Sequence, residues 1–396
     1  MRTFLNYIKP YEATIYMILI AIGFMGFLPS IPKVAKVILY VLGALIVIIN
    51  KKTQNMSYIL FLFYLVLNLI VCSPASFFKS WERLLLFAPL FATVTSAFQS
   101  DKIVQLRAQA LKILLSVCML LSFLSFFCFF LGINYFQTDL DNSDYITNVG
   151  WFAGLYNHSM ILGPMSGVSA CASIYLFLKK RKKWYLICAI ICAGSVMLAA
   201  SRTAFLAMII SMIFLLYKYS SKKRTFLKYL VSSVLILTLT FPLWSGSLSR
   251  MAAKQESFES QGRFGTRTNK WENRIAEFSS SPLIGIGFSA VGENTDDVDK
   301  SSGGVEPGTS WLAVLSMTGI VGFLFVLSFF FKAYRINLNS LQKDAPLLMS
   351  LLVFISIHMM GEGYIYAAGN PTCVIAWLIV GCNTDLKYRK HEISIL

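Results

Sequence analysis

Long apolar runs, separated by short polar segments, are the main pattern of this chain. The runs show neither the alternation of a half-buried strand nor the 3.6-residue period of a surface helix. Most are roughly 16 to 24 residues long, and about 20 residues of helix are needed to cross about 30 Å of hydrocarbon. The pattern predicts an all-α polytopic membrane protein with twelve spans, at residues 13–29, 34–50, 56–72, 84–99, 113–133, 157–178, 184–200, 203–217, 229–245, 310–331, 345–360 and 372–384.

Composition agrees with this pattern. Hydrophobic residues make up 56% of the chain, charged residues only 14%, and the mean hydropathy is +0.65. These values exclude a soluble or disordered protein, and the unbroken runs exclude a porin-type barrel. Seven of the eight cysteines lie inside apolar runs without metal-ligand spacing, which indicates small buried side chains.

The basic residues predict how the spans are oriented. The net charge is +16, but the lysines and arginines flank apolar runs, a pattern that argues against nucleic acid as a partner. If the N-terminus is cytoplasmic, 23 of the 35 basic residues lie on the cytoplasmic side, and both termini lie there. Outside the long segment 246–309, five basic residues fall on the outer side, namely Lys33, Lys36, Lys79, Arg83 and Arg202.

The segment 246–309 is the one stretch with the composition of a water-exposed region. It separates spans one to nine, in 1–245, from spans ten to twelve and a short cytoplasmic tail, in 310–396. Loops of this length are usually functional. Within it, Trp271, Ile275 and Phe278 recur at helical spacing, which predicts an amphipathic helix lying over the membrane domain.

Arginines on the predicted outer side are candidates for binding an anion. Arg202 lies between two apolar runs, where a cation is costly. It either binds an anion or reaches toward water at a tight hairpin. Arg263 and Arg267 add guanidinium groups suited to bidentate phosphate binding, although loop arginines are also commonly solvated.

Acidic and imidazole side chains at the same side are candidates for proton transfer. Glu362 lies between two glycines at the end of span eleven, and partial desolvation there would raise its pKa and suit it to act as a base. A salt bridge to an arginine is the alternative. His158, near the end of span six, is either a base or a structural residue at a helix end.

Several motifs together resemble the bacterial O-antigen ligase and polymerase superfamily. They are Trp81-Glu-Arg83, the block 154–164 (Gly-Leu-Tyr-Asn-His-Ser-Met-Ile-Leu-Gly-Pro), Ser201-Arg202-Thr, Arg267-x-x-x-Trp271 followed by Pro-Leu-Ile-Gly-Ile-Gly at 282–287, and the run 310–322. The resemblance covers roughly residues 70 to 385. Its most specific part is Arg267 to Gly287.

The resemblance implies a GT-C-type glycosyltransferase of the bacterial inner membrane, metal-independent, inverting, without a cofactor, and acting on the outer face. Its donor would be a glycan on undecaprenyl diphosphate, and its acceptor would be a glycan or a lipid. Membrane lipids would surround the protein. A chain-length regulator is a further candidate partner. Arg202 and Arg267 would hold the diphosphate, with Arg263 and Arg83 as further candidates, while Trp271 and Trp311 are candidates for stacking on acceptor sugars.

One position departs from the pattern of the ligases. Eleven residues before the glycine matched by Gly319, ligases usually carry a histidine, and this chain has Gly308 followed by Thr309. The departure favours a polymerase of O-antigen, capsule or exopolysaccharide, with a ligase as the alternative. Glu362 is then the expected base, ahead of Glu306 and His158.

A third interpretation is a transporter or flippase of lipid-linked glycans, because twelve spans with both termini inside is also a common transporter layout. Such proteins usually consist of two related halves joined by short outer loops. The single 64-residue loop and the polar groups at the outer boundary argue against this interpretation.

Overall fold

The computed structural model describes residues 25–28, 32–135, 152–220, 223–229, 231, 268–293, 298–299, 304–389 and 395–396. The fold is mostly helical. The helices are α1 (Lys33–Asn50), α2 (Met56–Cys72), α3 (Ser80–Val94), α4 (Asp101–Phe130), α5 (Ser159–Lys180), α6 (Lys183–Leu198), α7 (Arg202–Tyr219), α8 (Thr268–Ser280), α9 (Ser310–Leu338), α10 (Ala345–Gly361) and α11 (Pro371–Asp385). A 3₁₀ turn covers Ser76–Phe78, and the short strands are β1 (Thr53–Gln54), β2 (Phe98–Gln99), β3 (Val298–Asp299) and β4 (Gly304–Val305).

The helices confirm an integral membrane protein. Four of them, α4, α5, α7 and α9, are long and apolar enough to cross a bilayer, and α1, α2, α6 and α10 are shorter apolar helices. The predicted spans 13–29 and 229–245 fall largely outside the described residues, so the count of twelve stays a prediction.

An ion pair between Arg107 of α4 and Asp385 of α11 is buried at one end of the bundle. The guanidinium Nε lies 2.6 Å from one carboxylate oxygen and Nη2 lies 3.0 Å from the other. Arg107 also donates to the Thr95 carbonyl at 2.9 Å, and Ser96 donates to Asp385 at 2.7 Å. Both charges are thus paired and hydrogen-bonded, which burial in an apolar bundle requires. Strands β1 and β2 pair at the same end.

At the other end, α9 is broken at Gly319, whose φ of 61° and ψ of −171° interrupt the helix. The segment 282–288, called here the docking segment, fills the break. The Ile286 and Gly287 amides donate to α9 carbonyls at 2.9 and 3.0 Å, and the Ile320 amide donates to the Pro282 carbonyl at 2.9 Å. Backbone groups that the break removes from the helix are therefore paired with the docking segment, as an apolar environment demands.

Asn68, buried in the middle of α2, fixes the docking segment from its other side. Its amide nitrogen donates to the Ile284 carbonyl at 2.6 Å, and its amide oxygen accepts from the Phe288 amide at 2.7 Å. Tyr64, one turn earlier, donates to the Thr318 carbonyl at 2.6 Å. One face of α2 thus supplies hydrogen bonds to the docking segment and to α9 just before the break.

The predicted amphipathic helix is confirmed as α8, and two of its charged residues are its most buried ones. Its apolar residues Trp271 and Ile275 are 43% and 53% exposed, whereas Arg274 and Glu277 are buried. Arg274 donates to Glu277 at 2.7 Å, and Glu277 accepts from the Gly292 amide at 2.6 Å. The charged residues Arg274 and Glu277 thus turn toward the protein interior, where they pair with each other and with the backbone.

Replacement of Gly319 by alanine tests the importance of the break. The added Cβ would meet the Leu283 carbonyl at a position where φ is also positive, so we expect a loss of several kcal/mol and poor recovery of folded protein. Gly132→Ala is a matched control, because Gly132 has a φ of 68° and nothing within 4 Å of the added Cβ. Its cost should be only about 1–2 kcal/mol. Equal melting temperatures of the two variants in detergent would contradict this account.

Candidate functional site

Two adjoining cavities lie at the end of the bundle that carries the docking segment. Their volumes are about 440 and 370 Å³. Gly363, Tyr364 and Asn370, from the connection between α10 and α11, line both of them. We call the larger one the lysine cavity and the smaller one the histidine cavity, after their lining side chains. The connection therefore forms the wall between two compartments.

The histidine cavity joins candidates from distant parts of the chain. His158 precedes α5, whereas Glu362 ends α10, and both line this cavity. His358, one helical turn before Glu362, lines it as well. The remaining lining residues are Asn157, Met160, Ile161, Gly363, Tyr364, Asn370 and Thr372. The structure thus brings two of the predicted proton-transfer residues to one compartment.

The backbone of Glu362 is held in place by Ser310 at the start of α9. The Ser310 amide and hydroxyl both donate to the Glu362 carbonyl, at 2.9 and 2.6 Å. The hydroxyl of Ser310 also accepts from the Tyr364 amide at 3.0 Å. Thr309 donates to the Met359 carbonyl at 3.0 Å. The end of the 246–309 segment is therefore tied to the residues around the candidate base.

His358 and Tyr364 form a hydrogen-bonded pair in the cavity wall, with 3.2 Å between Nδ1 and the phenol oxygen. The His358 ring also stacks on Phe354, with ring centroids 5.7 Å apart. Burial raises the pKa of the Tyr364 phenol well above its usual value, and the Glu362 carboxylate adds to the effect. The phenol therefore stays protonated at neutral pH and can donate a hydrogen bond.

His158 is the N-cap of α5. Its Nδ1 accepts from the Met160 amide at 3.0 Å, which requires that this nitrogen carry no proton. Burial lowers the pKa of His158, and the nearby Glu306 carboxylate offsets part of the effect. The ring is therefore neutral at pH 7, with one nitrogen committed to the cap.

Arg202 is the first residue of α7 and is exposed. Its neighbours pack against the elements of the histidine cavity. A Cβ at Gly163 of α5 would lie 2.8 Å from the Ser201 Cβ, and one at Gly361 of α10 would lie 2.5 Å from the Thr203 hydroxyl. The start of α7 thus packs against the beginning of α5 and the end of α10. The α10 residue that it meets, Gly361, directly precedes Glu362 in the chain.

The lysine cavity contains Arg83 but not Arg202. Lys36 of α1, Lys79 before α3 and Arg83 in the first turn of α3 line it, together with the carboxylate of Glu82. Arg83 donates to the Ser289 hydroxyl at 2.9 Å. Among the described lining residues, three side chains are therefore cationic and one is anionic.

The other candidates lie outside both cavities. Glu306 is 58% exposed and pairs with Lys270 of α8, with 2.5 Å between the charged atoms. Trp271 is exposed on α8. Trp311 donates its indole N–H to the Ser356 carbonyl at 3.0 Å, and its ring packs against Phe330. Arg263 and Arg267 are outside the described residues.

Several lining residues were not candidates from the sequence. His358 has a detectable signal, because it precedes Glu362 by four residues and so shares its helix face. Lys36 and Lys79 could also have been noticed, because both are basic residues on the predicted outer side. Tyr364 and Asn370 have none, because only the path of the α10–α11 connection brings them to the cavities.

The chain was compared with known proteins. A family model described as O-Antigen ligase matches residues 186–327. The match confirms the resemblance to the O-antigen ligase and polymerase superfamily. It includes α6, α7, α8, the docking segment and the break in α9, whereas His158, His358, Glu362 and the cationic side chains of the lysine cavity lie outside the matched residues. No match is found among curated proteins.

The lowered pKa of His158 predicts a pH-dependent stability. Because the folded state favours the neutral ring, the stabilisation is present above the ordinary value of 6.5 and is lost as the pH falls through the lower folded pKa. His158→Asn keeps a capping side chain but does not titrate. We expect the variant to match the parent at pH 7.5 and to lose less melting temperature between pH 6.5 and 5. Parallel pH curves for the two proteins would contradict the assignment.

Proposed function

We propose that this protein is a polymerase that joins lipid-linked oligosaccharide repeat units on the outer face of the bacterial inner membrane. The donor is a glycan on undecaprenyl diphosphate, and the acceptor is a second lipid-linked repeat unit. The family match supports an enzyme of the ligase or polymerase type, with lipid-linked glycan substrates. The choice of a polymerase over a ligase rests on one further observation.

That observation is the environment of Gly308, where ligases of the superfamily usually carry histidine. Gly308 has a φ of 76°, which side chains rarely adopt, and a Cβ there would lie 2.8 Å from the Lys270 Cβ. Any side chain at this position would have to displace α8. The local backbone is therefore built for glycine, which supports a site whose base comes from elsewhere in the chain.

The reaction needs a base and a stabilised leaving group. In the proposed step, the acceptor hydroxyl oxygen forms a bond to the anomeric carbon of the donor while the bond from that carbon to the diphosphate oxygen breaks. The bonding electrons leave with the diphosphate, and the hydroxyl proton passes to Glu362. Attack opposite to the leaving group inverts the anomeric centre. Polyprenyl diphosphate is already activated, so charge stabilisation and proton removal are the contributions required of the protein.

Glu362 is our choice of base because of its surroundings. It is half-buried at the histidine cavity beside His158 and His358, and its backbone is fixed by Ser310. Glu306 is exposed and already paired with Lys270, so an acceptor hydroxyl would have to compete with that lysine for its carboxylate. His158 already uses one ring nitrogen as a helix cap.

The donor diphosphate is assigned to Arg202 and Arg267, with Arg263 in support. Guanidinium groups bind phosphate oxygens in pairs and carry the charge that Mg²⁺ supplies in other transferases. In the proposed reaction no metal takes part, so activity should survive EDTA. The start of α7 packs beside the end of α10, an arrangement that suits a diphosphate held next to Glu362.

A ligase is the second candidate, since the matching family model carries that description. The two activities give different products. A polymerase makes a ladder of longer lipid-linked chains from repeat units alone, whereas a ligase needs a separate acceptor, such as a lipid A core.

Arg202→Ala and Arg267→Ala should each abolish polymer formation without loss of membrane insertion. Lysine at either position should restore little activity, because it lacks the paired donors of guanidinium. The measurement is the product ladder formed in vitro from purified lipid-linked repeat units. Arg181→Ala, at the opposite end of the bundle, is a matched control that should remain active. Near-normal ladders from both Ala variants would remove the arginines from the donor site.

Glu362→Gln should lower turnover by about 10²- to 10⁴-fold, the usual contribution of a general base, while donor binding is largely kept. Glu306→Gln is the matched control and should stay within a few fold of the parent. The initial rate of repeat-unit joining measures both. A wild-type rate for Glu362→Gln, combined with failure of the His158→Ala, His358→Ala or Glu306→Gln variant, would assign the base to that other residue.

A further inference from the structure

We propose that the lysine cavity binds the diphosphate of the acceptor lipid. This inference rests on the proposed polymerase function, in which donor and acceptor are both polyprenyl diphosphates. Such an enzyme must hold two diphosphates at once, one beside the reacting carbon and one at the far end of the acceptor repeat unit. The lysine cavity offers a separate compartment for the second of these diphosphates.

The charge of the lysine cavity fits a diphosphate. Among the residues that the structure describes, Lys36, Lys79 and Arg83 line the cavity together with one carboxylate, Glu82, and these lining side chains carry a net positive charge. Arg83 is oriented by the Ser289 hydroxyl at 2.9 Å, which directs a planar group of donors, and the two lysines add point charges. A volume of about 440 Å³ is ample for a diphosphate and the first sugar.

The topology of the chain provides an independent reason. Outside the 246–309 segment, only five basic residues lie on the predicted outer side, against the usual preference for the cytoplasmic side. Three of those five residues line this single cavity: Lys36 of α1, Lys79 in the turn before α3, and Arg83 of α3. Three cationic side chains from separate elements, gathered at one cavity on the side where basic residues are scarce, suit a ligand of opposite charge.

The position of the candidate base assigns the cavity to the acceptor rather than to the donor. Glu362 lines the histidine cavity and does not line the lysine cavity. The bond that breaks is at the donor diphosphate, so that diphosphate must lie near the base. The reacting hydroxyl of the acceptor is separated from its own diphosphate by a whole repeat unit. An anion site across the Gly363–Tyr364 wall meets this requirement.

The surface next to Lys36 suits the lipid tail. Along α1, apolar side chains such as Ile38 and Leu42 are more than half exposed, and a bilayer would cover them. Lys36 lies in the first turn of α1, before this apolar face. A polyprenyl chain could therefore stay in the membrane while its headgroup enters the lysine cavity.

Binding stoichiometry gives a test that does not depend on turnover. The probe is geranylgeranyl diphosphate, titrated onto the full chain in nanodiscs and counted by native mass spectrometry. We expect two molecules per parent chain, one per Lys36→Ala/Lys79→Ala chain, and two again for Lys36→Arg/Lys79→Arg. The control Lys182→Ala/Lys183→Ala, exposed between α5 and α6, should bind two. One molecule per parent chain, or two per Lys36→Ala/Lys79→Ala chain, would overturn the proposal.

Acceptor discrimination gives a kinetic test that separates this inference from the proposed function. The parent enzyme should show a KM roughly 10- to 100-fold lower for a lipid-linked repeat unit than for the same saccharide as a phosphate-free decyl glycoside. In Lys36→Ala/Lys79→Ala the two KM values should converge, with the donor KM unchanged. Equal KM values in the parent would overturn the acceptor site and leave the polymerase standing. Absence of any sugar transfer by the parent would overturn the polymerase itself.

Discussion

The break in α9 at Gly319 is the constraint on which the functional end of this protein depends. A helix interrupted inside an apolar bundle leaves amides and carbonyls that water cannot reach, and each must find a partner within the chain. The docking segment and Asn68 provide those partners. The need for pairing thus fixes a loop that is remote in sequence, and this loop carries Ser289, which orients Arg83. A local backbone requirement is converted in this way into the placement of charged groups at the cavities.

The orientation of α8 follows from the same preference for pairing. In water, a helix of this composition would bury tryptophan and isoleucine. At a membrane surface, apolar side chains lose little by facing outward, whereas charged groups gain by reaching partners inside the protein. Arg274 and Glu277 accordingly turn inward and hold Gly292, while Lys270 reaches Glu306. The amphipathic pattern was recognised correctly, but the partners of its charged residues could not be read from the sequence.

The sequence was informative about helices and motifs and less so about the site. Uninterrupted apolar runs require helices in a bilayer, so the helices could be predicted. The break at Gly319, inside the predicted span 310–331, could not, because a glycine in an apolar run does not by itself mark an interruption. His158 and Glu362 were identified because polar residues at span ends are costly. The lysine cavity could not be predicted, because its lining comes from α1, α3, α9 and several connecting segments whose contact depends on packing. The role of Asn68 was also not evident, since an isolated asparagine in an apolar run does not reveal its partner.

The buried pair of Arg107 and Asp385 also has a consequence for how the chain is made. The two residues are 278 positions apart, and at about 5 to 20 residues per second of synthesis Arg107 waits roughly 15 to 60 s for its carboxylate. Throughout that time α4 carries a cation whose partner has not yet left the ribosome. Assembly of the bundle around α4 must therefore remain open to water or to the membrane insertion machinery until α11 arrives. The last helix acts as the closing step of membrane integration.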